Sequence, residues 1–482
     1  MKAGKRIIGQ MSLAGLDEWS SVRAVKGADV FCNQGGKVRR EWLSRCTEER
    51  ALTKELMGKI VSPSNLVAAL RQVVSNKGSA GIDGMSVEEL RQWFSSHYHE
   101  FQSQIITGKY RVESVREVQI PKPNGGVRIL GIPTAKDRLV QQAISQVLSL
   151  HYDPTFSDRS YGFRPDRGAH DALRQAGQEV SEGRDWIVDI DLEKFFDTVN
   201  HDRLMWLLGT RIGDKTLLKL IGKFLRAGML KDGLVSQGVK GMPQGSPLSP
   251  LLSNIILDEL DKELEVRGHR FVRYADDLIV MVKSEPSAKR VLSSLTAFIE
   301  QRMLLKVNKS KSKISRPYEL NFLGHSILIE GRLGLSKTSE QRLKAKLKQL
   351  TQRNRGISLE QLVKELNPIL RGWLNYFKNA QMIGRLKAIE GWLNRRIRCF
   401  RLKQCKRAFT MAKLLHRLGV PWNRSWATAG ISKGWYRLSV TPAAHEAMNL
   451  KWFGTIGLYS LKENYVKHLK KPPSTTHVRW VV

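Results

Sequence analysis

A chain of 482 residues with 80 Lys and Arg against 45 Asp and Glu carries a formal charge of +35, which points to a polyanionic partner, nucleic acid first. Its 41% hydrophobic and 8% aromatic content supplies several cores and excludes global disorder. No apolar run approaches the ~18 residues of a membrane span, no basic amphipathic anchor stands out, and the scattered Cys32, Cys46, Cys399 and Cys405 indicate neither a disulfide scaffold nor a zinc knuckle.

Residues 1–58 show no clear pattern. The basic start Met1–Arg6 meets Asp17 and Glu18 after only a short apolar stretch, a poor signal peptide. Reduced thiols and a cytoplasmic location are expected, without organellar import. Residues 59–106 read as two amphipathic helices around the Gly-rich loop Asn76–Gly84. Alternation at Val112, Val115, Val118 and Ile120, a turn at Pro123-Asn124-Gly125-Gly126 and renewed apolar residues at 127–130 predict a β-hairpin. Its arms carry Arg116, Lys122 and Arg128. Helices are expected over 136–150 and 166–180, and Trp186–Asp191 reads as a short strand running into a helix. From Pro247 onward, Leu251, Leu252, Ile255, Ile256, Leu260 and Leu264 mark a helix with proline near its start.

Two apolar strands follow, Phe271–Tyr274 and Leu278–Val282, separated only by Ala275, Asp276 and Asp277. A tight hairpin therefore presents two adjacent carboxylates. Asp is a common turn residue at a surface, but β-branched and aromatic runs on both flanks argue for burial. Buried paired carboxylates repel one another unless protonated or bound to a cation. Asp189 and Asp191, two apart at the end of an apolar strand, share a face and can supply a third ligand. Mg²⁺ takes oxygen ligands from one or two carboxylates plus substrate phosphates, and two ions roughly 3.5–4 Å apart clamp nucleotidyl transfer. Together with the charge, this indicates a nucleic-acid polymerase or nuclease.

Residues 331–482 hold 31 Lys and Arg against 6 Glu and no Asp, +25 of the total, and seven of the twelve Trp. Residues 391–445 carry no acid. A basic surface interleaved with aromatics suits phosphate contact and base stacking; a solvated face over a Trp-rich core is the alternative for any single residue.

Tyr274-Ala275-Asp276-Asp277 resembles the YxDD signature of reverse transcriptases. Asp191 with an aromatic five residues on resembles the preceding palm motif, and Pro243-Gln244-Gly245 the nucleotide-pocket motif. The Asn76–Gly84 loop, Ile120-Pro121-Lys122-Pro123 with Gly131-Ile132-Pro133-Thr134, and Tyr161-Gly162-Phe163-Arg164-Pro165 resemble blocks of the group II intron-encoded reverse transcriptase/maturase, over about residues 59 to 482. The resemblance implies Asp191, Asp276 and Asp277 as ligands of two Mg²⁺ ions. It implies Phe196 as a steric gate against the ribonucleotide 2′-OH, with core packing beside Phe195 as the alternative. Gln244 would contact the incoming nucleotide, and Arg116, Lys122 and Arg128 would grip its triphosphate; for Arg116 a solvated hairpin face competes. Lys311 would protonate pyrophosphate as general acid, an exposed structural lysine being the alternative. Phe322-Leu323-Gly324 resembles the primer grip.

The fold implied is an α/β right-hand polymerase, with fingers and palm holding an antiparallel sheet, then an all-α thumb and a small basic C-terminal domain. The divisions are 1–58, an extension of unassigned role; 59–329, fingers and palm; 330–415, thumb and domain X; and 416–482, a DNA-binding domain. The function implied is RNA-directed DNA synthesis that copies group II intron RNA during retrohoming, with binding of that RNA to assist splicing. Partners would be intron RNA, target DNA, RNA template with DNA primer, and dNTPs, near the nucleoid of a bacterium and without a membrane. Cysteine pairs of an HNH endonuclease do not follow, so second-strand cleavage is not expected of this chain. Competing readings are a host-adapted reverse transcriptase in DNA repair or defence, and a polymerase-dead splicing factor, against which the intact Asp191, Asp276 and Asp277 argue.

Overall fold

The computed structural model describes residues 53–121, 126–231, 234–236 and 240–470. The chain divides into two compact units, one of Met1–Phe156, Glu193–Leu260 and Met303–Lys306, the other of Ser157–Leu192, Asp261–Arg302 and Val307–Val482. In chain order the strands are β1 (Val115–Pro121), β2 (Val127–Ile132), β3 (Trp186–Ile190), β4 (Met229–Lys231), β5 (Leu234–Ser236), β6 (Arg270–Tyr274), β7 (Asp277–Val282), β8 (Lys313–Ser315), β9 (His325–Ile327) and β10 (Leu333–Leu335).

The first unit holds the expected hairpin, β1 against β2 from Arg116↔Ile132 to Pro121↔Val127, in a sheet of order β2-β1-β4-β5. Lys122 and the turn residues 123–125 lie outside the described residues. The two predicted N-terminal helices form as Pro63–Ser75 and Val87–Ile106. The second starts at a capping box: Ser86 Oγ accepts from Glu89 N at 3.1 Å while Glu89 Oε2 accepts from Ser86 N at 2.7 Å. Its apolar stripe of Leu90, Phe94, Phe101 and Ile105 is buried. Helix Ala135–Tyr152 starts at Thr134, whose hydroxyl accepts from Asp137 N. The Gly-rich loop packs so closely here that a Cβ on Gly81 would lie 2.6 Å from Thr134 Cα.

In the second unit β3 and β7 are central in an antiparallel sheet of order β6-β7-β3-β8. Leu278 to Val282 of β7 are all buried, as in a sheet covered on both faces. Ala172, Leu173, Ala176 and Val180 of helix Ala169–Ser181 share a core with Ile187, Val272, Ile279 and Met281, and helix Glu285–Gln301 packs on β3, β7 and β8.

Helices Lys337–Leu350, Leu359–Phe377 and Ile383–Gln404 close on a second core. It joins Leu347, Leu362, Leu366, Leu370, Leu386 and Ile397 to residues far along the chain, Phe453, Leu461 and Tyr465. Tyr465 donates its hydroxyl to the Ala380 carbonyl at 2.8 Å, and the Asn367 amide bridges Gly457 O and Tyr459 N. A further cluster runs from Leu402 to Met448. No helix among the described residues is long and apolar enough to cross a membrane.

Candidate active site

The hairpin between β6 and β7 closes at the pair Tyr274↔Asp277, leaving Ala275 and Asp276 as a two-residue turn. Ala275 sits at φ +56°, a conformation that costs a non-glycine residue on the order of 1–3 kcal/mol and persists only where its surroundings enforce it. The enforcement is visible. Arg273, fully buried, donates from Nη1 to the Ala275 carbonyl at 3.0 Å, while its Nε and Nη2 hold Asp261 at 2.7 and 2.5 Å. From the edge of β6, Tyr161 N donates to Arg273 O at 2.9 Å and Arg273 N to Arg159 O at 3.0 Å. A Cβ on Gly162 would stand 2.2 Å from Ala275 N, so the tyrosine-glycine block singled out in the sequence is a buttress that only glycine lets reach the turn.

Asp191 follows directly on β3. Its amide donates to Ser312 Oγ at 3.0 Å, its carbonyl accepts from Asn308 N at 2.8 Å, and Lys311 Nζ lies 3.4 Å from its Oδ2. The Asn308–Ser312 loop thus straps this carboxylate in place. Sequence reading singled out Lys311 but missed Ser312; its position one residue after that lysine was the available signal.

Asp277 stands at the exposed head of β7, yet its carboxyl is pushed up to about 7, first by desolvation and then by Asp276, Asp189 and Asp191, with Lys311 opposing. Asp189, half-buried in β3, is raised to about 6 by burial, with Lys313 opposing and Asp191 adding. Four carboxylates thus accumulate negative charge that a cation relieves. Among the described residues no three His, Cys, Asp or Glu side chains form a group that could by itself hold a metal ion. Hard divalent cations that keep waters and substrate phosphates do not need one, and the all-oxygen donor set fits such an ion.

Phe196, Gln244, Arg116 and Arg128 belong to the first unit. Phe196 is half-buried, its ring edge-on to the buried Phe195 at 5.2 Å. Its carbonyl accepts from Met242 N at 2.6 Å, and Gln244 O accepts from Gly131 N of β2 at 2.9 Å. Gly245, at φ +113°, passes so near that a Cβ would be 3.0 Å from Gly131 O. The Pro243-Gln244-Gly245 segment is thereby sewn to the hairpin. Arg128 is exposed opposite Ile120. Arg116 keeps a buried Nε with no partner among the described residues, and so does Arg138, 8% exposed, for Nε and Nη2. Sequence reading missed Arg138; the signal was an arginine on the apolar face of a helix.

Phe322 to His325 form a tight turn in the second unit, with Leu323 at φ +49° and Gly324 at +78°, the pattern of a two-residue hairpin loop. The Tyr376 hydroxyl donates to the Leu323 carbonyl at 3.0 Å. His325 Nδ1 lies 3.0 Å from the same oxygen, and burial pushes its pKa down to about 4, so the ring is neutral.

An antiparallel sheet that offers carboxylates at a hairpin tip and at the end of the neighbouring strand is the palm of a right-hand nucleotidyl-transferring polymerase. Residues 120–327 match the family model for reverse transcriptase (RNA-dependent DNA polymerase), and residues 340–419 that for the maturase-specific domain of group II introns. Protein YkfC of Escherichia coli is 31% identical over 359 residues, covering 66% of this chain and 93% of that protein. Group II intron-encoded protein LtrA of Lactococcus lactis is 30% identical over 353 residues, 58% of this chain and 57% of LtrA. The putative COX1/OXI3 intron 2 protein of Saccharomyces cerevisiae is 29% identical over 325 residues, 55% of this chain and 38% of its own length. The chain belongs to the group II intron-encoded reverse transcriptase/maturase family. Its family activities are RNA-directed DNA polymerisation, which uses a divalent metal, and maturation of intron RNA.

Proposed function

We propose that this polymerase copies the RNA of a group II intron into DNA during retrohoming and holds the same RNA to assist its splicing. What supports the polymerase half is the match over residues 120–327, together with the Arg273-braced hairpin that carries Asp276 and Asp277 and the charge of Asp191 felt at Asp277. The maturase half rests on the match over residues 340–419 and on the basic, Trp-rich segment that contains it.

Asp191, Asp276 and Asp277 would hold two Mg²⁺ ions, which when bound activate the primer 3′-OH and neutralise the leaving pyrophosphate. Lys311 carries a proton to that pyrophosphate, a role its 3.4 Å approach to Asp191 supports. Phe196 walls off the 2′ position and Gln244 contacts the nucleotide. Arg116, Lys122, Arg128 and Arg138 take the triphosphate, the unpartnered guanidinium nitrogens of Arg116 and Arg138 supporting their part in it. The Phe322-Leu323-Gly324 turn positions the primer end. Residues 59–329 serve as fingers and palm, 330–415 as thumb and domain X, and 416–482 as the target-DNA contact, in the cytoplasm.

The test pairs two assays on the full chain: extension of a DNA primer on intron RNA with Mg²⁺, and splicing of the intron at limiting Mg²⁺. Both should be active, and splicing of an unrelated group II intron should not be assisted. Extension on any RNA with no effect on splicing would leave the polymerase standing and overturn the intron reading.

A further inference from the structure

The second unit contains a recess of about 580 Å³ that shares no residue with the carboxylate hairpin. This is within the ~300–1,000 Å³ of small-ligand sites. Lys348 at the end of one thumb helix, Arg353 in the loop after it, and Arg396 and Lys403 on helix Ile383–Gln404 all line it. Trp435 and Tyr436 of the short helix Trp435–Leu438 complete the wall. No lining residue is acidic, and the whole stretch 391–445 supplies no carboxylate.

Arg396 is held, not loose. Arg396 donates from Nε to Thr351 Oγ1 at 2.5 Å and from Nη2 to the Lys348 carbonyl at 3.1 Å. It is half-buried, and burial lowers its pKa, with Cys399 and Tyr436 opposing. Arg395 stacks on Tyr436 at 3.6 Å and donates to its carbonyl, which fixes the aromatic wall against the same helix. Four cations converge on a hollow roomy enough for a ring, with an indole in its lining. A paired base hides its faces in the stack, whereas an unpaired one can be splayed out and stacked on an aromatic ring while its phosphates meet Arg and Lys.

We propose that this recess captures one unpaired nucleotide of a bound strand, its base against Trp435 and its flanking phosphates on Lys348, Arg353 and Lys403. The inference rests on the reading that the chain holds structured nucleic acid, and adds that the thumb and the segment after residue 415 jointly select a strand feature, an extruded base. It makes the protein a reader of bulges rather than a general phosphate binder.

The test uses the full chain and a labelled RNA stem of fixed sequence, fully paired or carrying one bulged purine, with the same two stems in DNA. Fluorescence anisotropy should give tighter binding to the bulged stem by about tenfold, the range of one base–aromatic stack. Trp435→Ala should erase that preference and leave the paired stem unchanged, and Trp435→Phe should restore it. Arg353→Gln should weaken both stems and reduce the salt slope by about one. Trp435 also packs on the Leu402–Met448 cluster, so the Phe variant and an unchanged melting temperature guard against a folding effect. Preference for a bulge in RNA or in DNA supports the site and names the strand that fills it. Equal affinity for bulged and paired stems, or equal loss on both in Trp435→Ala, would overturn it. Failure to bind any stem would instead overturn the nucleic-acid reading beneath it.

Discussion

Arg273 and Asp261 form a fully enclosed ion pair, 2.7 and 2.5 Å from guanidinium to carboxylate, and the same guanidinium holds the carbonyl of Ala275. Asp261 lies on helix Ser249–Val266, so a core helix is bolted to the turn that presents Asp276 and Asp277. Removing one partner of a buried pair leaves an uncompensated charge and costs about 3–5 kcal/mol. Arg273→Met should show that loss in urea unfolding. Arg273→Lys keeps the charge but not the fork; it should fold, with kcat for primer extension lowered about 10- to 100-fold through displaced carboxylates and the KM for dNTP little changed. Wild-type kcat in Arg273→Lys would show that the turn needs no such brace.

Asp276→Asn and Asp277→Asn each remove a negative charge from the proposed metal site while keeping side-chain size. Primer extension on RNA should drop to background in both, and filter binding of intron RNA should stay at the wild-type level, because the basic segment 331–482 is untouched. Extension near the wild-type rate in both variants would sink the metal assignment.

Asp277 and Asp189, at about 7 and about 6, lie above the ~4 of an unfolded carboxylate. The metal-free native state therefore holds more protons than the unfolded chain between about pH 4 and pH 7, and its stability falls as pH rises through that window. Asp277 opens to solvent, so water and salt screen part of this effect. A divalent cation competes with those protons. Adding MgCl₂ should thus raise the melting temperature more at pH 8 than at pH 5.5, and a shift independent of pH would contradict cation binding at these groups.

Phe195 is 2% exposed while its neighbour Phe196 is half-buried, so the packing and the proposed gating roles can be tested apart. Phe196→Ala should raise the ratio of rNTP to dNTP incorporation with the fold intact. Phe195→Ala should cost about 3–5 kcal/mol of stability and leave that ratio alone. An unchanged ratio in an active Phe196→Ala enzyme would make Phe196 a packing residue.

Phe453, Leu461 and Tyr465 complete the core of the helices spanning 337–404. Truncation after Asn449 should therefore expose that core, and limited proteolysis should cut within 337–404 far faster than in the full chain. Wild-type resistance of the truncated protein would show that these helices stand without the later residues.

The local elements were legible in the sequence because their causes are local. Alternation with a glycine-rich turn predicts the hairpin at 115–132, and β-branched runs on either side of Ala275-Asp276-Asp277 predict β6 and β7. Apolar periodicity with Ser86 and Glu89 at capping distance accounts for the helix at 87–106. The carboxylates were legible for the same reason, each lying at a strand end that the pattern locates. Arg273, Arg138 and Ser312 were not. A buried arginine looks like any surface arginine until the helix or loop that encloses it arrives from elsewhere in the chain, and Asp261 and Ser312 acquire their partners only when distant strands and helices pack. The joining of Phe453 and Tyr465 to a core begun a hundred residues earlier is likewise a product of tertiary closure. Periodicity states which face of a helix is apolar, and only packing decides what covers it.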